Sequence, residues 1–151
     1  MECLNYSKAG STEDIKNEID RMVREEKLSL KQAECIKLKD IDTFAGSSIG
    51  ERIKRAYAYG GVKREQPFVF EYDRQLVQGV IDLYFIEDGQ LVIVDYKTDR
   101  VLRGRAGEDE LRRRYSIQLD YYAMALSQIT GLKVKEKVIY SFALGRSLTV
   151  E

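Results

Sequence analysis

The chain has 151 residues, 44% of them hydrophobic and 33% charged, with 25 Lys+Arg balanced by 25 Asp+Glu. That length suits a single domain with a real core; no apolar run approaches the roughly 20 residues of a membrane helix, and Met1-Glu2-Cys3-Leu4-Asn5 has neither the basic nor the apolar region of a signal peptide, so none is expected. Histidine is absent, which excludes Ser-His-Asp and Cys-His catalysis, HExxH zinc sites and His-held haem. Any acid–base or metal chemistry must come from carboxylates, Lys, Tyr or the two cysteines. Cys3 and Cys35 form no CxxC pair and are too few for a zinc finger or an iron–sulfur cluster, so they read as reduced thiols of a cytoplasmic protein.

No repeat, low-complexity tract or Pro-rich linker interrupts the chain, but its character changes near residue 62. Before that point the pattern is helical. Ser11 with Asp14 reads as a capping-box variant, followed by Ile15, Ile19, Met22 and Val23 on one face. Ser29 with Gln32 reads as a second cap ahead of Leu30, Ala33, Ile36 and Leu38. A third helix is predicted over about 48–58, carrying Ile49, Ile53, Ala56 and Tyr57 and stopped by Gly60-Gly61. Strands follow. Residues 68–72 are β-rich and turn at Asp73-Arg74, and residues 76–86 form a long β-branched and aromatic run. Asp88-Gly89 is a two-residue hairpin signal. Residues 91–96 are continuously apolar up to Asp95, as in a strand covered on both faces. A basic loop is expected over 98–108, then a helix over about 109–129 with Leu111, Tyr115, Leu119, Tyr122, Leu126 and Ile129 inward and Gly131 as its stop. Residues 133–142 alternate as a strand, and 147–150 read as a short edge strand. The expected architecture is an α/β sandwich around a mixed sheet, with a helical part over 1–62 and a β-β-β-α-β core over 63–151 within one domain.

The balanced charge hides an asymmetry. Residues 65–96 hold seven acids against one base, and residues 97–114 hold seven bases against four acids. An acidic block therefore meets a basic one at Lys97. With Asp88-Gly89 as a two-residue loop, opposed residues have numbers summing to 177, so Asp82 falls opposite Asp95 with Cβ atoms roughly 5 Å apart. Lys97 shares that face. If Asp73-Arg74 is also a two-residue loop, Glu65 sits opposite Asp82. Opposed carboxylates in a half-buried sheet need compensation. One reading is a divalent cation, Mg²⁺ or Mn²⁺, held by oxygen ligands and waters; the other is that Asp82 is a strand-end charge and Asp95 pairs with Lys97. A cation beside a lysine points to hydrolysis by metal-activated water, with Lys97 orienting the water or stabilising developing charge.

The ordered set Gly79-Val80-Ile81-Asp82, Asp95-Tyr96-Lys97 and Gln118-Leu119-Asp120-Tyr121-Tyr122 resembles the GxxD…DYK…QxxxY pattern of the RecB-like branch of the PD-(D/E)xK nucleases. Arg64-Glu65-Gln66-Pro67-Phe68, Thr98-Asp99-Arg100, Ile139-Tyr140-Ser141-Phe142 and residues 44–52 extend the likeness to the nuclease domains of AddA-type helicase–nuclease subunits. The resemblance implies a restriction-endonuclease-like fold and a Mg²⁺-dependent (or Mn²⁺-dependent) deoxyribonuclease that cuts single-stranded DNA. It implies that Asp82, Asp95 and Glu65 hold the metal, that Lys97 is the motif lysine, and that Gln118 and Tyr122, four apart on one helix face, border the metal site and the DNA. Arg100, Arg103, Arg105, Arg112, Arg113 and Arg114 are expected to contact phosphates. The implied context is a bacterial, cytoplasmic, ATP-dependent helicase–nuclease for double-strand-break processing. ATP would be used only by a helicase part of the same polypeptide, and an AddB-like subunit would be the partner. This branch usually carries a metal-binding histidine on an upstream helix, so the resemblance also implies a fragment beginning just after that helix. Two other readings stay open: a weak or inactive nuclease-like module that binds DNA or a partner protein, and a stand-alone repair or restriction endonuclease.

Overall fold

The computed structural model describes residues 12–151. The Ser11 cap and Cys3 lie outside them; Cys35 is an exposed free thiol. The chain divides into two compact units at Gly60/Gly61, two residues before the change expected from sequence, because the first strand already begins at Val62.

The first unit contains α1 (Thr12–Arg24), α2 (Leu30–Glu34), α3 (Leu38–Ala45) and α4 (Ser48–Ala58). Ile15, Ile19 and Met22 of α1 are buried, as their spacing predicts. The Ser29 capping box is present in full: Ser29 Oγ accepts from Gln32 N–H while Gln32 Oε1 accepts from Ser29 N–H. The helix behind it is shorter than expected. Extended backbone at Lys37 (ψ 101°) separates α2 from α3, so Leu38 opens a new helix. The apolar spacing of Leu30, Ala33 and Ile36 runs across that break without marking it. No side chain caps α3, so the sequence carries no start signal for it.

The second unit is a five-stranded sheet in the order β1 (Val62–Tyr72), β2 (Gln75–Glu87), β3 (Gln90–Lys97), β4 (Val134–Ser141) and β5 (Arg146–Val150). A long helix, α5 (Arg105–Thr130), links β3 to β4, which pair in parallel; the other pairs are antiparallel. This is the mixed sheet with flanking helix expected from the sequence. Asp88 (φ 53°) and Gly89 (φ 74°) form one two-residue turn, and Asp73 (φ 48°) and Arg74 (φ 61°) the other. Both registers follow: Glu87 pairs with Gln90, and Tyr72 with Gln75. Pro67 is tolerated because β1 is an edge strand.

One cluster on the α5 side of the sheet joins Phe68, Phe70, Ile81, Tyr84, Leu91 and Ile93 to Leu111, Leu119, Tyr122 and Leu126. Ile81 and Tyr84 have opposite parity along β2, so the strand changes the face it presents between them. Leu83 and Phe85, like Val92 and Val94, are buried but outside this cluster. The change coincides with Glu65, whose left-handed backbone (φ 47°) interrupts the ladder between Arg64↔Leu83 and Gln66↔Ile81.

Helix α5 starts four residues before its expected position and shortens the basic loop to 98–104. Its N-cap, Gly104, offers no side-chain acceptor, which is why no start signal is legible. Gly107 is required within the first turn: a Cβ there would lie 1.9 Å from the Leu102 carbonyl oxygen. At the other end Gly131 takes the left-handed cap conformation and donates its N–H to Ser127 O, as expected.

Candidate active site

The β2–β3 ladder runs from Glu87↔Gln90 to Leu83↔Val94 and stops there. Asp82 and Asp95 are the next positions of the same register. Beyond them β3 continues to Lys97 paired only with β4. The Asp82 carboxylate accounts for the parting: its Oδ2 accepts the Tyr96 N–H at 2.8 Å, a donor that a continued ladder would direct to β2 backbone. A fork lined by two carboxylates results.

Asp95 is 1% exposed. Lys97 Nζ lies 2.8 Å from its Oδ2 as an ion pair, and no other donor among the described residues reaches that buried oxygen. Burial pushes the Asp95 carboxyl up to about 6; Lys97 pulls it down, while Asp82 and Asp99 push it up. Lys97 therefore does not offset the desolvation of Asp95 by itself. The second sequence reading is present in the structure: a carboxylate at the ladder end and an Asp95–Lys97 pair. A buried carboxylate still raised in pKa beside its lysine, in an all-oxygen, two-carboxylate set, fits a hard divalent cation that keeps several waters.

Lys97 is held from α5 as well. Its ammonium donates to Gln118 Oε1 at 3.1 Å and sits 4.1 Å above the centre of the Tyr115 ring. Gln118 Nε2 donates to Tyr122 Oη at 2.6 Å. Burial, with the neighbouring Asp95, holds the Tyr122 phenol above its usual range, so it remains protonated. The Tyr122 ring packs edge-on against Phe68, centroids 5.5 Å apart. The ring of Phe68 in turn occupies the space left by Gly79, where a Cβ would meet it at 2.9 Å. The glycine of the GxxD run thus seats the aromatic residue behind Tyr122.

Glu65 is not brought into this group. It occupies the position opposite Asp82 expected from the register, but its left-handed backbone breaks the strand and its side chain is exposed. Among the described residues no three acidic, Cys or His side chains cluster as a metal site.

The basic strip also divides. Arg114 bonds Asp99 at 3.0 Å and pairs with Glu110. Arg112 donates to Thr149 O at 3.1 Å and pairs with Asp109 and Glu108. Arg105 lies 3.8 Å from Asp109. Among the described residues Arg100, Arg103 and Arg113 make no ion pair. The apolar spacing places Tyr115 in the core and marks no role for Asp99, yet both carry a signal: Tyr115 is three residues before Gln118, on the same helix face, and Asp99 is two residues after Lys97.

A model of the PD-(D/E)XK nuclease superfamily matches residues 5–148. The chain is 39% identical over 163 aligned positions to the A subunit of the ATP-dependent helicase/nuclease of Thermoanaerobacter sp. (strain X514), covering 98% of this chain and 13% of that protein. It is 34% identical over 158 positions to the protein of the same name from Clostridium novyi (strain NT), covering 94% of this chain and 12% of that protein. The chain thus spans about one-eighth of the length of these relatives. Its fold is similar to the crystal structure of a protein from Eubacterium rectale described as a candidate exonuclease, with TM-score 0.50, 18% identity, and coverage of 100% of this chain and 61% of that one. Dependence on a divalent metal is general to the matched family. The family match across nearly the whole sequence, with relatives identical at more than a third of the aligned positions, establishes that the chain belongs to the PD-(D/E)XK nuclease superfamily.

Proposed function

We propose that this chain is the Mg²⁺-dependent (or Mn²⁺-dependent) deoxyribonuclease domain of an ATP-dependent helicase–nuclease, acting as an exonuclease on single-stranded DNA delivered by a helicase part of the same polypeptide. The observation that carries the reading is the fork: two carboxylates and a lysine meet where the ladder ends, with the Asp95 carboxylate buried and Lys97 its close cation. Asp82 and Asp95 hold the cation, with Glu65 reaching it only if its exposed side chain turns inward. When bound, the cation would supply Lewis acidity and lower the pKa of a bound water. Lys97 orients the attacking water and stabilises charge on the phosphate. Gln118 fixes the Lys97 ammonium, and Tyr122 presents a neutral phenol to the scissile strand. Arg100, Arg103 and Arg113 bind backbone phosphates without first giving up a partner; Arg105, Arg112 and Arg114 exchange theirs.

The family match runs across both compact units, which supports one working domain over 1–151. Relatives named as parts of a helicase/nuclease support the cytoplasmic, double-strand-break context and an AddB-like partner. No helix among the described residues is long and apolar enough to cross a membrane.

The test is cleavage of labelled single-stranded DNA with Mg²⁺ or Mn²⁺, by the 151-residue chain and by the full-length polypeptide. Wild type is compared with Lys97→Ala and Asp95→Ala. The expected outcome is metal-dependent cleavage that falls about 10²- to 10³-fold in each variant. Equal rates in all three, or no cleavage by either wild-type form, overturns the reading.

A further inference from the structure

We infer that Tyr115, anchored by Asp99, is a positioning residue for the Lys97 ammonium, so that the lysine is set by a three-sided cradle rather than by its carboxylate partner alone. The inference rests on the nuclease reading for what Lys97 does, but on geometry for where it is held.

A lysine ammonium is a compact charge on a flexible four-carbon stem, and nothing intrinsic fixes its place. Here three groups surround it. Asp95 Oδ2 lies at 2.8 Å, Gln118 Oε1 accepts at 3.1 Å, and the Tyr115 ring lies beneath at 4.1 Å from its centre. The ring face is the negative part of its quadrupole, and a largely buried ammonium gains more from it than an exposed one. The Lys97 side chain is only 15% exposed.

The ring is itself held. Tyr115 Oη donates to Asp99 Oδ1 at 2.8 Å, and the same oxygen accepts from Arg114 Nη1 at 3.0 Å. The Tyr115 bond is the first cause holding the Asp99 carboxyl below its usual range. Burial and that carboxylate raise the phenol, so it stays a neutral donor. Tyr115, Gln118 and Tyr122 fall at i, i+3 and i+7 of α5 and form one stripe facing the fork. Asp99 follows Lys97 by two residues, in the loop just beyond β3. Strand and helix are therefore tied on both sides of the ammonium: Lys97 to Gln118, and Asp99 to Tyr115.

Tyr115 also packs against the sheet cluster, so the test must separate position from packing. A Leu at 115 keeps an apolar side chain without the ring face, and a Phe keeps the ring without the anchor. The first measurement needs no activity: proton NMR of metal-free protein, with the Lys97 ε-methylene assigned by comparison with Lys97→Arg. The ε-protons are expected upfield of exposed lysines in wild type and Tyr115→Phe, and at the ordinary position in Tyr115→Leu. An ordinary position in wild type, or no change in Tyr115→Leu, overturns the inference whether or not the chain cuts DNA. The second is cleavage kinetics. Tyr115→Leu is expected to lower kcat about tenfold with KM for DNA unchanged, and Tyr115→Phe to retain most of kcat. Equal kcat in Leu and Phe variants, or a loss confined to KM, also overturns it. A wild type inactive in every form while the NMR shift is present would refute the nuclease reading and leave the cradle standing.

Discussion

Between Glu87↔Gln90 and Leu83↔Val94, β2 and β3 form a regular ladder whose Leu83, Tyr84, Phe85, Leu91, Val92, Ile93 and Val94 are all buried. One position further on, at Asp82 and Asp95, the same two strands part around carboxylates. The turn end spends its backbone donors on the partner strand. The fork end gives the Tyr96 N–H to a side chain and buries a carboxylate whose close cation is Lys97. Closed pairs are what stabilise a sheet, whereas under-compensated charge is what a cation needs. Substitutions at the two ends should therefore separate stability from activity.

The largest loss of stability is expected inside the closed ladder. Ile93 is fully buried, pairs with Tyr84 and belongs to the α5-side cluster. Ile93→Ala removes buried methyl groups and leaves a cavity, a change that costs about 2–5 kcal/mol. Urea unfolding should show this, while kcat per folded molecule on single-stranded DNA falls less than threefold. A comparable loss in kcat would show that the two ends are not separable.

The fork predicts the opposite combination. The Asp95 carboxyl is held up at about 6 in the folded chain against its ordinary value of 3.8. The folded state thus binds more protons than the unfolded state between these values, and unfolding free energy falls as pH rises through that window. That difference corresponds to about 3 kcal/mol at most. Asp95→Asn carries no such proton. In metal-free buffer its stability should gain on wild type as pH rises from 4 to 7, even though cleavage is lost about 10²-fold or more. Chemical unfolding of both proteins at pH 4.5 and 7.5 decides it. A difference that does not change with pH would mean that Asp95 is fully compensated and the fork is not short of charge.

How much of this was legible follows from the kind of signal each element carries. The Asp88-Gly89 turn fixed one register and with it the Asp82–Asp95 opposition, because a two-residue loop leaves no freedom in the pairing. The Asp73-Arg74 loop gave the second register correctly, although neither residue is glycine. That register placed Glu65 opposite Asp82 but could not place its side chain, since period two assumes a strand that keeps its faces. The left-handed backbone at Glu65 and the exchange of faces between Ile81 and Tyr84 break that assumption. The α3 helix and the early start of α5 were hidden for another reason: Lys37 and Gly104 supply no capping side chain. Tyr115 was visible only as an apolar position, because sequence spacing shows that it shares a face with Gln118 but not that a lysine lies over its ring.

A smaller effect is expected where the fork is buttressed. At Gly79 an added Cβ would meet the Phe68 ring at 2.9 Å, and that ring packs against Tyr122. Gly79→Ala should cost about 1–3 kcal/mol by overpacking. It should also lower kcat severalfold through Tyr122, unlike Ile93→Ala. Calorimetric melting paired with the cleavage assay checks both; an unchanged kcat would detach Tyr122 from the reacting strand.

The smallest effect concerns the other hairpin. Asp73 and Arg74 both have positive φ, 48° and 61°, yet Arg74 occupies the position that Gly89 fills in the β2–β3 turn. A β-carbon in that conformation is strained, whereas glycine adopts it readily. Arg74→Gly therefore relieves strain in the folded state but adds freedom to the unfolded chain. The two terms oppose, and the steric one is the larger for a long side chain, so a net gain of about 0.5 kcal/mol is expected. Leu76 beside the turn is 76% exposed, and the turn lies at the far end of the β1–β2 ladder from Glu65 and Asp82. Thermal melting should rise by about 2 °C with kcat unchanged. A substitution that stabilised this turn and altered cleavage would show that the β1–β2 hairpin takes part in holding the strand.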